Sequence, residues 1–157
     1  MWRTALACSG GLQSTTGRVA RLACYRINTP MDPLILAALT ARDQAHARYS
    51  DFKVGAAVSD ETGRIFTGCN IESASYGLSM CAERVAIFKA VSEASGKLTR
   101  IAIVAGTETL TPPCGACRQI LWEFCRDAEL ILANLTGKQE SMTIGQIYPR
   151  PFDASFI

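Results

Sequence analysis

The feature that most restricts the fold of this chain is a set of three cysteines that one metal ion gathers only if two separate helix starts face each other. Cys114-Gly115-Ala116-Cys117 spaces two thiols three residues apart, and at a helix start such a pair shares one side with about 5–6 Å between Cβ atoms. Pro112-Pro113 fits that placement, because proline ends the preceding segment and is tolerated where helix N–H groups have no intrahelical partner. A helix N-terminus also favours thiolate over thiol. Taken alone, a C-x-x-C pair reads equally as a redox dithiol or as two core cysteines. Upstream, Cys81-Ala82-Glu83 supplies a third soft ligand at the start of another helical pattern, and core packing does not explain the carboxylate two residues on. Three protein ligands leave the fourth position of a tetrahedral Zn²⁺ open, which marks a catalytic site rather than a purely structural one.

The rest of the sequence alternates strand and helix patterns. Asp32-Pro33 reads as an N-cap followed by proline at the first helical position. Leu34, Ala37, Ala38, Ala41 and Ala45 keep helical spacing over residues 34 to about 48, with Arg42 and Asp43 outward. Residues 53–58 and 64–69 are β-rich runs around Asp60-Glu61-Thr62-Gly63, a turn-type sequence, and predict a hairpin. A second helix runs from 81 to about 94 with Gly96 placed to stop it, and a third from 114 to about 126. Residues 100–105 and 129–133 are short apolar runs of buried-strand type. This order predicts a three-layer α/β/α sandwich over residues 31–157, with a mixed central sheet that contains the antiparallel hairpin.

Residues 1–30 carry Arg3, Arg18, Arg21 and Arg26 and no acidic side chain, and they show no sustained periodicity. They read as a disordered leader, whose Arg- and Ser-rich character suits an organelle transit peptide, a dispensable extension or an upstream start. Without those four arginines, the 16 basic side chains become 12 against 14 acidic ones, so the formal net charge passes from +2 to −2. A weakly acidic body lacks the field that holds a nucleic-acid backbone. No stretch approaches the roughly 20 apolar residues of a membrane-spanning helix. Seven cysteines are an odd number without the pairing of a secreted disulfide framework, which points to a reducing, cytoplasmic setting. Cys69 and Cys125 read as small buried hydrophobes, and His46, the one histidine, as a helix-surface residue.

Cys81-Ala82-Glu83-Arg84 and Pro113-Cys114-Gly115-Ala116-Cys117-Arg118, with Phe52-Lys53-Val54-Gly55-Ala56-Ala57, Gly68-Cys69-Asn70-Ile71-Glu72 and Tyr76, closely resemble the small homotetrameric cytidine deaminase family. The resemblance spans residues 32 to 152. It implies a cytidine deaminase-like fold, one Zn²⁺ per chain on Cys81, Cys114 and Cys117, and hydrolysis of cytidine and deoxycytidine to uridine, deoxyuridine and ammonia, as in pyrimidine salvage. Zinc deaminases attack C4 of the ring with zinc-held hydroxide, and the carboxylate at the position of Glu83 carries the protons without binding the metal.

Three thiolates on Zn²⁺ leave a net charge of −1, so something positive must compensate. Arg84 and Arg118 follow the metal cysteines and are candidates to draw electron density from the sulfurs, unless they are solvated surface arginines. Asn70 and Glu72, two residues apart, point to one side of an extended backbone and suit two sugar hydroxyls. By the resemblance, they bind the 3′ side of the sugar, Phe52 packs against the base, and the Ala82 backbone N–H meets its O2; the plainer readings are a β-turn Asn, a solvated Glu and a core Phe. Glu72 would also repel a phosphate there. The resemblance further implies that Phe152, in the tail Pro149-Arg150-Pro151-Phe152-Asp153, enters the pocket of an adjoining subunit of a homotetramer; a Phe plugging its own surface is the plainer reading. Three other functions compete: a deaminase of an aminoglycosyl-cytosine antibiotic such as blasticidin S, a polynucleotide deaminase, and a non-catalytic zinc-stabilised binding module. The Asn70-Ile71-Glu72 run argues against the first, Cys81 in place of a histidine ligand and the lack of a basic channel against the second, and Glu83 against the third.

Overall fold

A computed structural model describes residues 31–157; the expected disordered leader, residues 1–30, lies outside the described residues. Helix α1 (Pro33–Arg42) opens where the sequence predicts, with Pro33 at its first turn and the Asp32 carboxylate accepting a hydrogen bond from the Leu34 N–H at 2.8 Å. Strands β1 (Val54–Asp60) and β2 (Ile65–Cys69) form the hairpin. Asp60 closes it by accepting from the Thr62 and Arg64 backbone N–H groups, and Gly63 takes the left-handed φ of 85° that the turn requires. Helix α2 (Ala82–Ser92), strand β3 (Leu98–Ala105), helix α3 (Gly115–Cys125) and strand β4 (Glu129–Asn134) follow, and then strand β5 (Gln139–Thr143) and the single turn α4 (Ile144–Ile147).

The five strands make one mixed sheet in the order β2-β1-β3-β4-β5, with β3 and β4 parallel and the other pairs antiparallel. Side-chain alternation divides the core between the two faces. On one face Ala57, Ala102, Val104, Ile131 and Ala133 pack with Leu34, Ile35 and Ala38 of α1. On the other, Ala56, Val58, Ile101, Ile103, Leu130 and Leu132 pack with Ala86 and Ile87 of α2 and Leu121 of α3. Both faces are covered, and the layers are α/β/α as expected.

Two glycines set how closely the helices approach. A Cβ on Gly55 would lie 2.0 Å from the Ala38 carbonyl oxygen of α1, and one on Gly68 would lie 2.5 Å from the Ala86 nitrogen and 2.6 Å from the Ala82 carbonyl oxygen of α2. These neighbours are backbone atoms, so only movement of a whole helix relieves the overlap.

Several boundaries differ from the sequence reading. The first helix ends at Arg42, not near residue 48, although the alanine spacing continues to Ala45. Backbone pairing with another segment takes over: the His46 N–H donates to the Asn70 carbonyl and the Glu72 N–H donates to the His46 carbonyl, each at 2.9 Å. His46 is exposed and lies in an isolated β-bridge with Ile71 rather than on a helix. Arg42 is half-buried, with its Nε shielded from solvent, rather than pointing outward. At the end of α2 the left-handed position falls on Ala94 (φ 52°), not on Gly96, with the Ser95 N–H bonded back to the Ala90 carbonyl in a six-to-one closure. Cys125 is buried, whereas Cys69 is only half-buried. Strand β5 has no signal in the sequence, because the polar run Gln-Glu-Ser-Met-Thr has no apolar alternation; it is an exposed edge held by pairing with β4.

Gly68→Ala should therefore push the first turns of α2 off the sheet and destabilise the protein by about 3 kcal/mol, whereas Gly145→Ala, whose Cβ meets nothing within 4 Å, should be close to neutral. Chemical denaturation of the two variants measures this, and equal midpoints would contradict the packing described.

Candidate active site

The three cysteines expected to hold the metal belong to the starts of two helices. Cys81 is the N-cap of α2 and Cys114 the N-cap of α3, both in extended backbone conformation, and neither side chain caps its own helix. The thiols are thus available to something outside the helix. Cys117, one turn into α3, is fully buried. The three sulfurs lie within 4.8 Å of one another, and those of Cys81 and Cys114 are 3.9 Å apart. Tetrahedral Zn²⁺ with bonds of about 2.3 Å spaces its sulfurs about 3.8 Å apart, so these residues fit the ion.

The local electrostatics favour thiolate at the first ligand. The Cys81 thiol is drawn down to about 5, first by the hydrogen bond from Cys117 and then by Arg84, against the effect of burial. Cys117 is pushed up as the donor in that hydrogen bond, and further by burial and by the nearby Glu83 carboxylate. Arg84 Nη2 lies 3.7 Å from the Cys81 sulfur and 3.4 Å from the Ser79 carbonyl oxygen. Arg118 is placed differently: its guanidinium donates to the Pro113 carbonyl at 2.9 Å and to the Ile147 carbonyl at 3.0 Å. It braces the backbone just before Cys114 and ties it to α4.

Glu83 is 5% exposed, so it is not a solvated first-turn residue. Burial, followed by the nearby Cys81 thiolate, raises its carboxyl above the usual range. Glu83 lines a cavity of about 310 Å³ together with Cys81, Cys114, Phe52, Asn70 and Glu72, large enough for a small ligand. Ala82 also lines it and is the first residue of α2, where a helix N–H has no intrahelical acceptor.

Another part of the lining comes from the segment that displaced the end of the first helix. Ile71 pairs with Met80 through two 2.9 Å backbone hydrogen bonds, and Asn70 and Glu72 on either side of it line the same cavity as Cys81. The Asn70 amide accepts from the Val54 N–H and donates to the Phe52 carbonyl, both at 2.8 Å, and so fixes Phe52 at the rim. The Glu72 carboxylate accepts from the Tyr49 N–H at 2.8 Å, the Ser50 N–H at 3.3 Å and the Ser50 hydroxyl. Those hydrogen bonds, Ser50 first, hold its carboxyl below the usual range. Ser50, Ser79 and Thr111 carry no motif in the sequence; only the closeness of Ser50 to Phe52 signals any of them.

Phe152 does not line this cavity. It is 59% exposed and stacks on Phe156 with ring centroids 5.7 Å apart. The tail is pinned to α3: Gln119 Nε2 donates to the Phe152 carbonyl at 2.8 Å, and Asp153 accepts from Trp122 Nε1 at 3.2 Å and Arg126 Nη2 at 3.1 Å.

Comparison with known proteins agrees with this geometry. A family model described as the cytidine and deoxycytidylate deaminase zinc-binding region matches residues 31–133. A cytidine deaminase of Halalkalibacterium halodurans is 47% identical over 122 residues, covering 77% of this chain and 92% of the relative. One from Sporosarcina psychrophila is 45% identical over 123 residues, covering 78% and 90%. The crystal structure of cytidine deaminase from Burkholderia pseudomallei superposes with a TM-score of 0.74 at 43% identity, covering 78% of this chain and all of that one. With a match that spans both the Cys81-Ala82-Glu83 and the Cys114–Cys117 motifs, the chain belongs to the cytidine and deoxycytidylate deaminase zinc-binding family.

Proposed function

We propose that this protein hydrolyses cytidine and deoxycytidine to uridine and deoxyuridine, releasing ammonia, with Zn²⁺ held by Cys81, Cys114 and Cys117. The observation that carries the reading is the buried Glu83 carboxyl, two residues from a metal ligand and facing the same cavity as the three-thiol site. When bound, zinc supplies Lewis-acid activation of water. The raised Glu83 carboxyl is suited to take a proton from that water and deliver it to N3 of the base, and then to take the remaining proton from the oxygen added at C4 and pass it to the leaving amine nitrogen. Water is consumed, the C4–N4 bond breaks, and the C4 oxygen of the product comes from the water.

The other residues bind and orient. Phe52 presents its ring to the base, the Ala82 N–H meets the base O2, and Asn70 and Glu72 take the sugar hydroxyls. Asn70 uses one acceptor site and one donor hydrogen within its own chain, which leaves one of each for the sugar. Arg84 offsets the thiolate charge at Cys81, and Arg118 acts through the backbone it braces. A simple nucleoside is favoured over a polynucleotide by the acidic body of the chain. Among the described residues, no helix is long and apolar enough to cross a membrane.

The assembly we infer is a homotetramer in which Phe152 completes the pocket of a neighbouring subunit. Its ring is exposed and outside its own cavity, yet its backbone is fixed to α3, so it is presented rather than loose.

Glu83→Gln keeps shape but removes the proton carrier. The variant should retain zinc and nucleoside binding while kcat falls by about 10²–10⁴-fold; ammonia release from cytidine near the parent rate would refute the role. Phe152→Ala should raise KM for cytidine about three- to tenfold with zinc content unchanged, as expected for loss of one aromatic contact. A parent protein that sediments as a fully active monomer would contradict the shared pocket.

A further inference from the structure

The carboxylate and the aromatic ring assigned to sugar and base are joined by a third side chain. The Ser50 hydroxyl donates to Glu72 Oε1 and accepts from the Phe52 N–H at 3.0 Å. One residue later, Asp51 adopts the left-handed φ of 54°, with its N–H bonded back to the Ala47 carbonyl at 2.9 Å. Aspartate tolerates this conformation, and the resulting reversal lets a hydroxyl at position 50 meet the N–H at position 52. Phe52 is then held on both sides by side chains, its N–H by Ser50 and its carbonyl by Asn70.

Glu72 has limited capacity left. An ionised carboxylate has about four acceptor sites. The Tyr49 and Ser50 N–H groups fall on Oε2, and the Ser50 hydroxyl falls on Oε1. The remaining site is on Oε1, the oxygen that Ser50 also holds. A sugar hydroxyl arriving at Glu72 therefore shares its acceptor with Ser50.

We propose that Ser50 is a positioning residue for nucleoside binding, whose hydroxyl fixes Glu72 Oε1 for the sugar and ties that acceptor to the backbone of Phe52. This rests on the reading that Glu72 meets the sugar. Removing the hydroxyl leaves the Phe52 N–H without its acceptor and Oε1 without its donor, while the two N–H groups on Oε2 stay in place. Binding is weakened more than chemistry, because the Ser50 hydroxyl bonds to Glu72 and Phe52 and not to Glu83 or the three cysteines.

The test uses the full-length, zinc-loaded protein, with cytidine as substrate and with uridine and 2′,3′-dideoxyuridine as competitive inhibitors; the second lacks the sugar hydroxyls in question. Ser50→Ala should raise KM for cytidine and the inhibition constant of uridine about tenfold, with kcat lowered by less than about threefold, as for loss of one charge-assisted hydrogen bond. The inhibition constant of the dideoxy analogue should rise much less, and Ser50→Thr, which keeps the hydroxyl, should stay near the parent. Equal weakening of both inhibitors, or weakening of neither, overturns the role of Ser50. Glu72→Gln measured in parallel distinguishes the two failures. If it narrows the difference between the inhibitors and Ser50→Ala does not, the Ser50 role alone falls. If neither variant narrows it, the sugar contact of Glu72 falls and takes the Ser50 role with it.

Discussion

Everything at this site depends on two helix N-termini being held at a distance where three sulfurs share one ion. Cys81 and Cys114 occupy equivalent N-cap positions on α2 and α3, and the sulfur of Cys117, three residues after Cys114, lies within 4.8 Å of both. Each helix start contributes partial positive charge and so favours thiolate. Three thiolates on a zinc ion would leave a net charge of −1, and the Arg84 guanidinium lies 3.7 Å from the Cys81 sulfur. The helices are located by the sheet: Gly68 of β2 admits the first turns of α2 to backbone contact, and Leu121 of α3 is buried in the same core as Ile87 of α2. The sheet packing and the metal geometry are therefore one constraint. A displaced α2 would move Cys81 and Glu83 together.

Position on α2 also divides labour between adjacent residues. Cys81 at the N-cap position directs its sulfur to the other two thiols, Ala82 is the first residue of the helix, and Glu83 is buried. Burial and a neighbouring thiolate both oppose ionisation of Glu83, so its carboxyl is poised to hold a proton as well as to give one. The same residue placed one turn later would face other neighbours and lose this environment.

Much of this was legible in the sequence because it rests on local signals. The C-x-x-C spacing, the prolines before it and the Cys-x-Glu upstream all concern helix starts, where capping and spacing rules are strong. The hairpin was marked by its turn and the central strands by their apolar runs. Other parts were illegible for equally physical reasons. Ala45 continues a helical pattern, yet residue 46 pairs with residues 70–72, because a nonlocal backbone partner outweighs weak helix propensity. Strand β5 is polar and exists only through its ladder with β4. Ala94 takes a left-handed turn that composition would assign to glycine. Arg118 follows a metal cysteine in sequence, but its hydrogen bonds go to the carbonyls of Pro113 and Ile147. Ser50 shows no periodicity or motif at all, since its partners Glu72 and Phe52 become neighbours only through the fold.

The central claim is that three cysteine sulfurs, and no fourth protein sulfur, hold one zinc beside a buried carboxyl. X-ray absorption at the zinc edge of the purified protein measures this directly. The account predicts one zinc per chain with three sulfur neighbours at about 2.3 Å and one lighter donor. A spectrum fitted by four sulfurs would close the open position, and one without three sulfurs would remove Cys81, Cys114 or Cys117 from the metal; either result would contradict the account.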